Sequence, residues 1–247
     1  MIDSHCHLYD EKYDDILETA VDGNLTAIVN SCDSPAVFDK AKKMSENFGN
    51  LYFTAGIHPH NADKDFNSVR RIIDYLDHPK CLGIGEIGLD YFYSFSEKSI
   101  QKSVFEKQLQ IACDYKKNIV VHSRNAENDI FDILKNIKNI NILIHCYTGP
   151  LKILEQALSY ENFFFSVGGM ITFKNNENIM NILKIIPLPK LLIETDSPYL
   201  SPVPYRGKIN MPSYIKYSYQ KISEILDIDF GKLDKTIDDN FNLNFKF

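Results

Sequence analysis

Six side chains in this sequence have the chemistry of divalent-metal ligands, and each closes or follows a short apolar run. His5 and His7 form an H-x-H after MIDS, His122 ends NIVVH, and His145 ends NILIH. Glu86 follows CLGIG, and Asp196 follows LLIET. Imidazole and carboxylate together suit Zn²⁺, Mn²⁺ or Mg²⁺. Singly these residues say little: a lone H-x-H is more often a surface or core feature. A lone carboxylate at a strand end often caps the next helix, and Asp196-Ser197-Pro198 has that form. Collectively they say more, because burying four imidazoles and two carboxylates together is expensive unless they bind metal or pair. Six ligands exceed what one catalytic ion needs with open positions left. A two-metal site bridged by Glu86 is the economical reading.

The residues before Glu86 offer a competing chemistry. Gly83-x-Gly85-x-x-Gly88 matches the dinucleotide-binding fingerprint, which needs a strand ending at the first glycine and a helix starting at once. Here Leu89-Asp90-Tyr91-Phe92-Tyr93-Ser94-Phe95 follows, an aromatic run without helical period. The nearest acidic residue at the required distance, Glu106, falls inside the next helix. The glycines are better explained by close backbone packing around an inward carboxylate.

The elements that must position these residues alternate along the chain. Candidate strands are 1–5, 27–30, 51–56, 81–85, 118–122, 141–145, 163–167 and 191–194. Candidate helices are 12–20, 35–48, 66–76, 97–116, 126–137, 150–159, 176–184 and 212–226, several with apolar residues at i, i+3, i+4 and i+7. Eight unbroken alternations predict an α/β fold, a single (β/α)₈ TIM-like barrel, with an open doubly wound sheet as the runner-up. Chemistry in such barrels gathers at the C-terminal ends of the strands. His5 and His7 end the first strand and, two apart, share its face. His58 and His60 follow the third strand. Only His78 lies elsewhere, in a helix-to-strand turn. The segment 240–247 is apolar enough to dock on the barrel.

Bulk properties narrow the class. The 247 residues carry no linker or repeat, so one domain spanning 1–247 is expected. A composition of 44% hydrophobic and 24% charged residues is that of a soluble globular protein. No apolar run is long enough for a membrane span, and the N-terminus lacks signal-peptide regions. Five scattered cysteines, odd in number and without C-x-x-C, point to reduced thiols and a cytoplasmic location. The net charge of −6 argues against holding nucleic acid by a broad basic surface, so any phosphate must be held locally.

The segments DSHCHL (3–8), GIHPH (56–60), GEIGLDY (85–91), VHSR (121–124), HCYTG (145–149), GGMITF (168–173), ETDSPYL (194–200) and PYRGKINMPS (204–213) resemble the TatD family of metal-dependent deoxyribonucleases. The resemblance runs from the first residues to the last helix and is specific in combination. It implies a TIM-like barrel among the amidohydrolase-type metal hydrolases. It further implies one ion held by His5, His7, Glu86 and Asp196, and a second held by Glu86, His122 and His145. The implied reaction is attack of a metal-bound hydroxide on a phosphodiester of DNA, as a 3′→5′ exonuclease on single strands, with Asp196 and Glu86 as the catalytic carboxylates. HCYTG replaces the more frequent HCFSG, keeping the histidine and a hydroxyl. The C-terminus lacks an arginine expected near there, and the chain has no tryptophan to stack a base.

Other residues carry two readings each. His58 and His60 either contact phosphate or base, or belong to a loop pinned by Pro59. Arg124 clamps phosphate or pairs with a carboxylate. Arg206 and Lys208 meet substrate, as the resemblance implies, or sit in a solvated loop. Tyr91, Phe92, Tyr93 and Phe95 stack bases or pack on the barrel rim. Asp3 orients a ligand or fills a barrel layer. The alternative enzymatic reading is hydrolysis of an amide, a lactone or an aminoacyl-tRNA ester, though many such enzymes carry a carboxylated lysine where this chain has Glu86. A third is a non-enzymatic metal-binding protein. A monomer acting on DNA, without a membrane partner, is the expectation.

Overall fold

The computed structural model describes residues 1–21 and 24–245. Eight parallel strands run in sequence order: β1 (Ile2–Cys6), β2 (Ala27–Ser31), β3 (Leu51–Thr54), β4 (Cys81–Asp90), β5 (Ile119–Arg124), β6 (Ile142–Ile144), β7 (Phe163–Val167) and β8 (Leu191–Ile193). Between and after them lie α1 (Leu17–Val21), α2 (Phe38–Asn47), α3 (Lys98–Tyr115), α4 (Glu127–Leu134), α5 (Leu151–Leu158), α6 (Glu177–Ile185), α7 (Ile215–Leu226) and α8 (Phe230–Phe245). Runs such as Phe163-Phe164-Phe165 and Leu191-Leu192-Ile193 are buried along their whole length, as strands covered on both faces must be. The sheet curls until β8 meets β1. There Ser4 Oγ donates to the Ile193 carbonyl (3.0 Å), Asp196 N to His5 O (3.0 Å) and His7 N to Ser197 O (2.7 Å). The nearly closed barrel is the predicted fold, not the open sheet.

Asp3 belongs to this seam. Its carboxylate accepts from Thr195 N (2.9 Å) and Thr195 Oγ1 (2.6 Å). Burial pushes its pKa up to about 8, against the pull of those hydrogen bonds. It braces the residue before Asp196.

Four expectations change. The fourth strand continues through Glu86 to Asp90 instead of stopping at Gly85. Between Ile84↔Ile119 and Ile87↔Val121, β4 advances three residues while β5 advances two. The extra residue is a bulge at Gly85-Glu86, the kind of irregularity that re-aims a side chain. A similar shift on β1 falls at Ser4-His5. The predicted helix 66–76 is a 3-10 helix, Phe66–Tyr75, and the predicted helix 12–20 splits into a 3-10 turn, Glu11–Tyr13, and α1. Finally, α8 begins at Phe230, well before the apolar segment at 240. It buries Leu233, Ile237, Phe241 and Phe245, one every four residues, and its Asn240 Nδ2 donates to the Leu188 and Leu191 carbonyls. Residues 246 and 247 of the expected docking segment lie outside the described residues.

The glycines of β4 allow strands to approach closely. A Cβ on Gly85 would lie 2.7 Å from the Val120 Cβ, and one on Gly88, at φ +136°, would meet the His122 carbonyl oxygen. Gly88→Ala is therefore expected to destabilise the fold by at least about 1–3 kcal/mol, through positive φ and overpacking together. Urea denaturation would read this as a lowered midpoint.

Candidate metal centre

The C-terminal ends of the strands open into a cleft of about 570 Å³ whose lining includes His7, His58, His60, Glu86, His122, His145 and Asp196. His5 lies just beneath, fully buried, its ring stacked on His145 at 3.9 Å. All six side chains singled out as ligands thus meet at one mouth. Of the four set aside for substrate, His58, His60 and Arg124 line the same cleft. Arg206 does not: its guanidinium lies over the Phe173 ring at 3.7 Å. His78 is remote, facing Glu46.

Glu86 divides these groups. Its Oε2 lies 3.5 Å from both His5 Nε2 and His7 Nε2. Its Oε1 lies 2.8 Å from His145 Nε2, 2.9 Å from His122 Nδ1 and 3.5 Å from His58 Nε2. Asp196 Oδ1 closes the first group, 3.3 Å from His7 Nε2 and 3.8 Å from His5 Nε2. Three sets have ligand atoms mutually close enough to share an ion: His5, His7 and Asp196; His5, Glu86 and His145; and His58, Glu86 and His122.

The outer hydrogen bonds decide where the ring lone pairs point. His7 Nδ1 is 3.0 Å from the Ser31 carbonyl, which can only accept. Nδ1 therefore carries hydrogen, and Nε2 presents its lone pair to Glu86 and Asp196. His122 Nε2 is 3.1 Å from Asp90 Oδ2, which leaves Nδ1 to face Glu86. His145 Nδ1 faces Glu194 Oε1 at 3.5 Å, an ion-pair contact and not a hydrogen bond, and Glu194 Oε2 accepts from Ser166 Oγ. Such carboxylate–histidine pairs fix the tautomer that a metal requires. His58 is wired the other way. Its Nδ1 accepts the His60 N–H (3.1 Å), so Nε2 bears hydrogen and points it at Glu86. That makes His58 a donor to Glu86 and a poor ligand.

The donor set fits a divalent cation by its contacts. His5 Nε2 and His7 Nε2 face each other at 3.2 Å, as do His122 Nδ1 and His145 Nε2 at 3.3 Å. Opposed lone pairs at that distance need a proton or a cation between them. His5 Nδ1 is also buried without a hydrogen-bond partner. With protein atoms alone, protons take that role. Burial opposes charge on His7, but Asp196 and Glu86 raise its pKa to about 9. His145 and His122 are likewise raised, against burial, by Glu86 with Glu194 and with Asp90. Burial would raise Glu86, yet His145 and His58 hold it well below the ordinary carboxylate range. Asp196 is lowered too, with His7 outweighing burial. Burial and the neighbouring His145 lower His5.

Three positioning residues escaped the sequence reading. Asp90 accepts from His60 Nε2 (2.9 Å) and His122 Nε2 through one oxygen, and from the backbone of Phe92 and Tyr93 through the other. Glu194 backs His145. Asn210 donates to the carbonyls of Thr195 (2.9 Å) and Tyr199 (2.6 Å), bracing the loop that carries Asp196 at φ +55°. Asp90 ends β4 and Glu194 directly follows the apolar run of β8, and a carboxylate so placed was the available signal.

A parallel barrel that gathers imidazoles and carboxylates at its C-terminal mouth has the architecture of the metal-dependent hydrolases. A family model described as TatD related DNase matches residues 2–246, and the chain belongs to that family. An uncharacterized metal-dependent hydrolase of Bacillus subtilis (strain 168), YabD, is 35% identical, the match covering 100% of this chain and 99% of that protein. One from Buchnera aphidicola subsp. Acyrthosiphon pisum is 34% identical over 99% of this chain and 98% of its own. Among solved structures, the TatD homolog YJJV from Escherichia coli K12 superposes with a TM-score of 0.90 at 23% identity, covering 100% of this chain and 98% of that chain. The chain is a TatD-family metal-dependent hydrolase. Among the described residues no helix is long and apolar enough to cross a membrane.

Two outcomes follow from the wiring. A cation must displace protons from raised imidazoles, so its affinity should climb as pH rises toward about 9, the His7 value, by about tenfold per unit for each proton released. Titration calorimetry in buffers of different ionisation enthalpy would measure that release. Asp90→Asn is expected to weaken metal binding by about 10–100-fold by upsetting the His122 tautomer. The same calorimetry would check it.

Proposed function

We propose that this protein hydrolyses phosphodiester bonds of DNA, removing nucleotides from the 3′ end of single strands, with two divalent ions (Mg²⁺, Mn²⁺ or Zn²⁺) held at the barrel mouth. The observation that carries the reading is the division of Glu86, one oxygen toward His5, His7 and Asp196 and the other toward His122 and His145. Such a carboxylate suits a bridge between two ions, with His5, His7, Glu86 and Asp196 holding one and Glu86, His122 and His145 the other. The family description, TatD related DNase, supports a polynucleotide substrate.

When bound, such ions lower the pKa of an attacking water and offset charge growing on the attacking and leaving oxygens. The chain's own residues do the rest. Asp196, lowered to an ionised carboxylate and partly open to the cleft, takes the proton of the attacking water. Glu86 fixes the spacing of the two ligand groups, and the N–H of His58 steadies its Oε1. His60, held by Asp90, and Arg124 at the rim are placed to receive the phosphate, with His58 behind them. Arg206, in its loop over Phe173, lies outside the cleft and would meet only a longer strand. The local cluster, not a basic surface, answers the net charge of −6.

The purified chain, given Mg²⁺ or Mn²⁺ and 5′-labelled single-stranded DNA, should release mononucleotides and shorten the label stepwise. Asp196→Ala should lower the rate by roughly 10²–10⁴-fold. Unchanged cleavage in Asp196→Ala would overturn the assignment. Hydrolysis of amides, lactones or aminoacyl-tRNA without any of DNA would move the reaction to a carbonyl carbon.

A further inference from the structure

The segment after β4 places aromatic rings in water beside the candidate metal centre. Phe92 is 54% exposed, Tyr93 40% and Phe95 64%. Apolar surface concentrated at a cleft in this way marks a binding site more often than a packing accident. The rings are ordered with respect to the cleft. Tyr93 and Phe95 face each other at 5.5 Å with planes 31° apart, and the His60 ring adjoins both, at 5.4 Å and 4.8 Å. Both rings line the same cleft as Glu86 and Asp196.

Asp90 ties this wall to the ligand cluster. One oxygen receives the Phe92 and Tyr93 N–H groups (2.9 Å each), and the other receives His60 and His122. The wall is therefore preorganised at a fixed distance from the reacting position. Arg124 completes it, its guanidinium 4.2 Å from the Phe92 ring centre and 4.8 Å from that of Tyr93. Among the described residues no carboxylate pairs with it, so its charge is available to an anion.

We propose that Phe95 and Tyr93 form a nucleobase-stacking subsite, taking the unpaired base of the 3′-terminal nucleotide while Arg124 holds a phosphate beside it. The inference rests on the phosphodiester reading above and adds the part of the substrate that is recognised. Ring faces and one cation offer no donor–acceptor pattern for a base edge, so the subsite accepts any base. It requires that the base be out of a duplex stack, which makes single strands and frayed ends the substrates.

The test uses the full-length chain and a short oligothymidylate ending in 2-aminopurine. With Mg²⁺ in the Asp196→Asn background, binding should quench the fluorophore. Phe95→Ala should abolish the quench and weaken binding by about tenfold, and Phe95→Tyr should keep both. In the otherwise unmodified chain, KM should be about tenfold lower for a normal 3′ terminus than for an abasic one, a preference that Phe95→Ala erases. Phe95 is 64% exposed, so its two variants should fold. Absence of quenching, quenching unchanged in Phe95→Ala, or equal KM for normal and abasic ends would overturn the subsite. Quenching without cleavage by the unsubstituted chain would overturn the nuclease reading and leave the subsite standing.

Discussion

A carboxylate almost wholly withdrawn from water dominates this structure. Glu86 is 2% exposed, sits at the mouth of an apolar barrel, and stays ionised because imidazole nitrogens surround both of its oxygens. A charge buried without such partners would neutralise or destabilise the fold. With partners on both sides it becomes the fixed point from which the other ligand groups are measured. The β4 bulge and the close approach of β5 at Gly85 and Gly88 are the backbone adjustments that deliver it there.

Around that point the barrel supplies layers of support. β1 brings His5 and His7 across the closing seam, and Asp3 with Thr195 locks the same seam beneath Asp196. Ser31, Asp90 and Glu194 sit behind the ligand rings and set which nitrogen is bare. This outer layer turns a collection of histidines into a directional donor set. If the proposed phosphodiester substrate is right, an acidic chain would meet it by a local attraction, from bound cations and a few rim residues, and not by a charge spread over the surface.

Much of this was legible because period and position survive in sequence. Short apolar runs ending in His or Glu announce parallel strands with chemistry at one end, and the aromatic run after Gly88 ruled out a dinucleotide loop. The length of β4 was not legible, since glycines suppress strand propensity while serving close approach that only the folded neighbours reveal. α8 was hidden by the polar residues between Leu233, Ile237 and Phe241, although their four-residue spacing was there. Asp90 looked like part of an aromatic loop and Glu194 like a neighbour of Asp196. Their roles depend on which ring nitrogen they touch, and for Asp90 that is set across 30 and 32 residues of separation, to His60 and His122. The sequence left two readings open for His58, and only the His60 N–H shows which of its nitrogens bears hydrogen.

On the proposed reading the two oxygens of Glu86 serve two different cations. Anomalous diffraction from crystals grown with excess Mn²⁺ tests it most directly. The expected map has two peaks about 3.5–4 Å apart, one beside Oε2 with His5, His7 and Asp196, the other beside Oε1 with His122 and His145. A single peak away from Glu86, or none within the cleft, would contradict it.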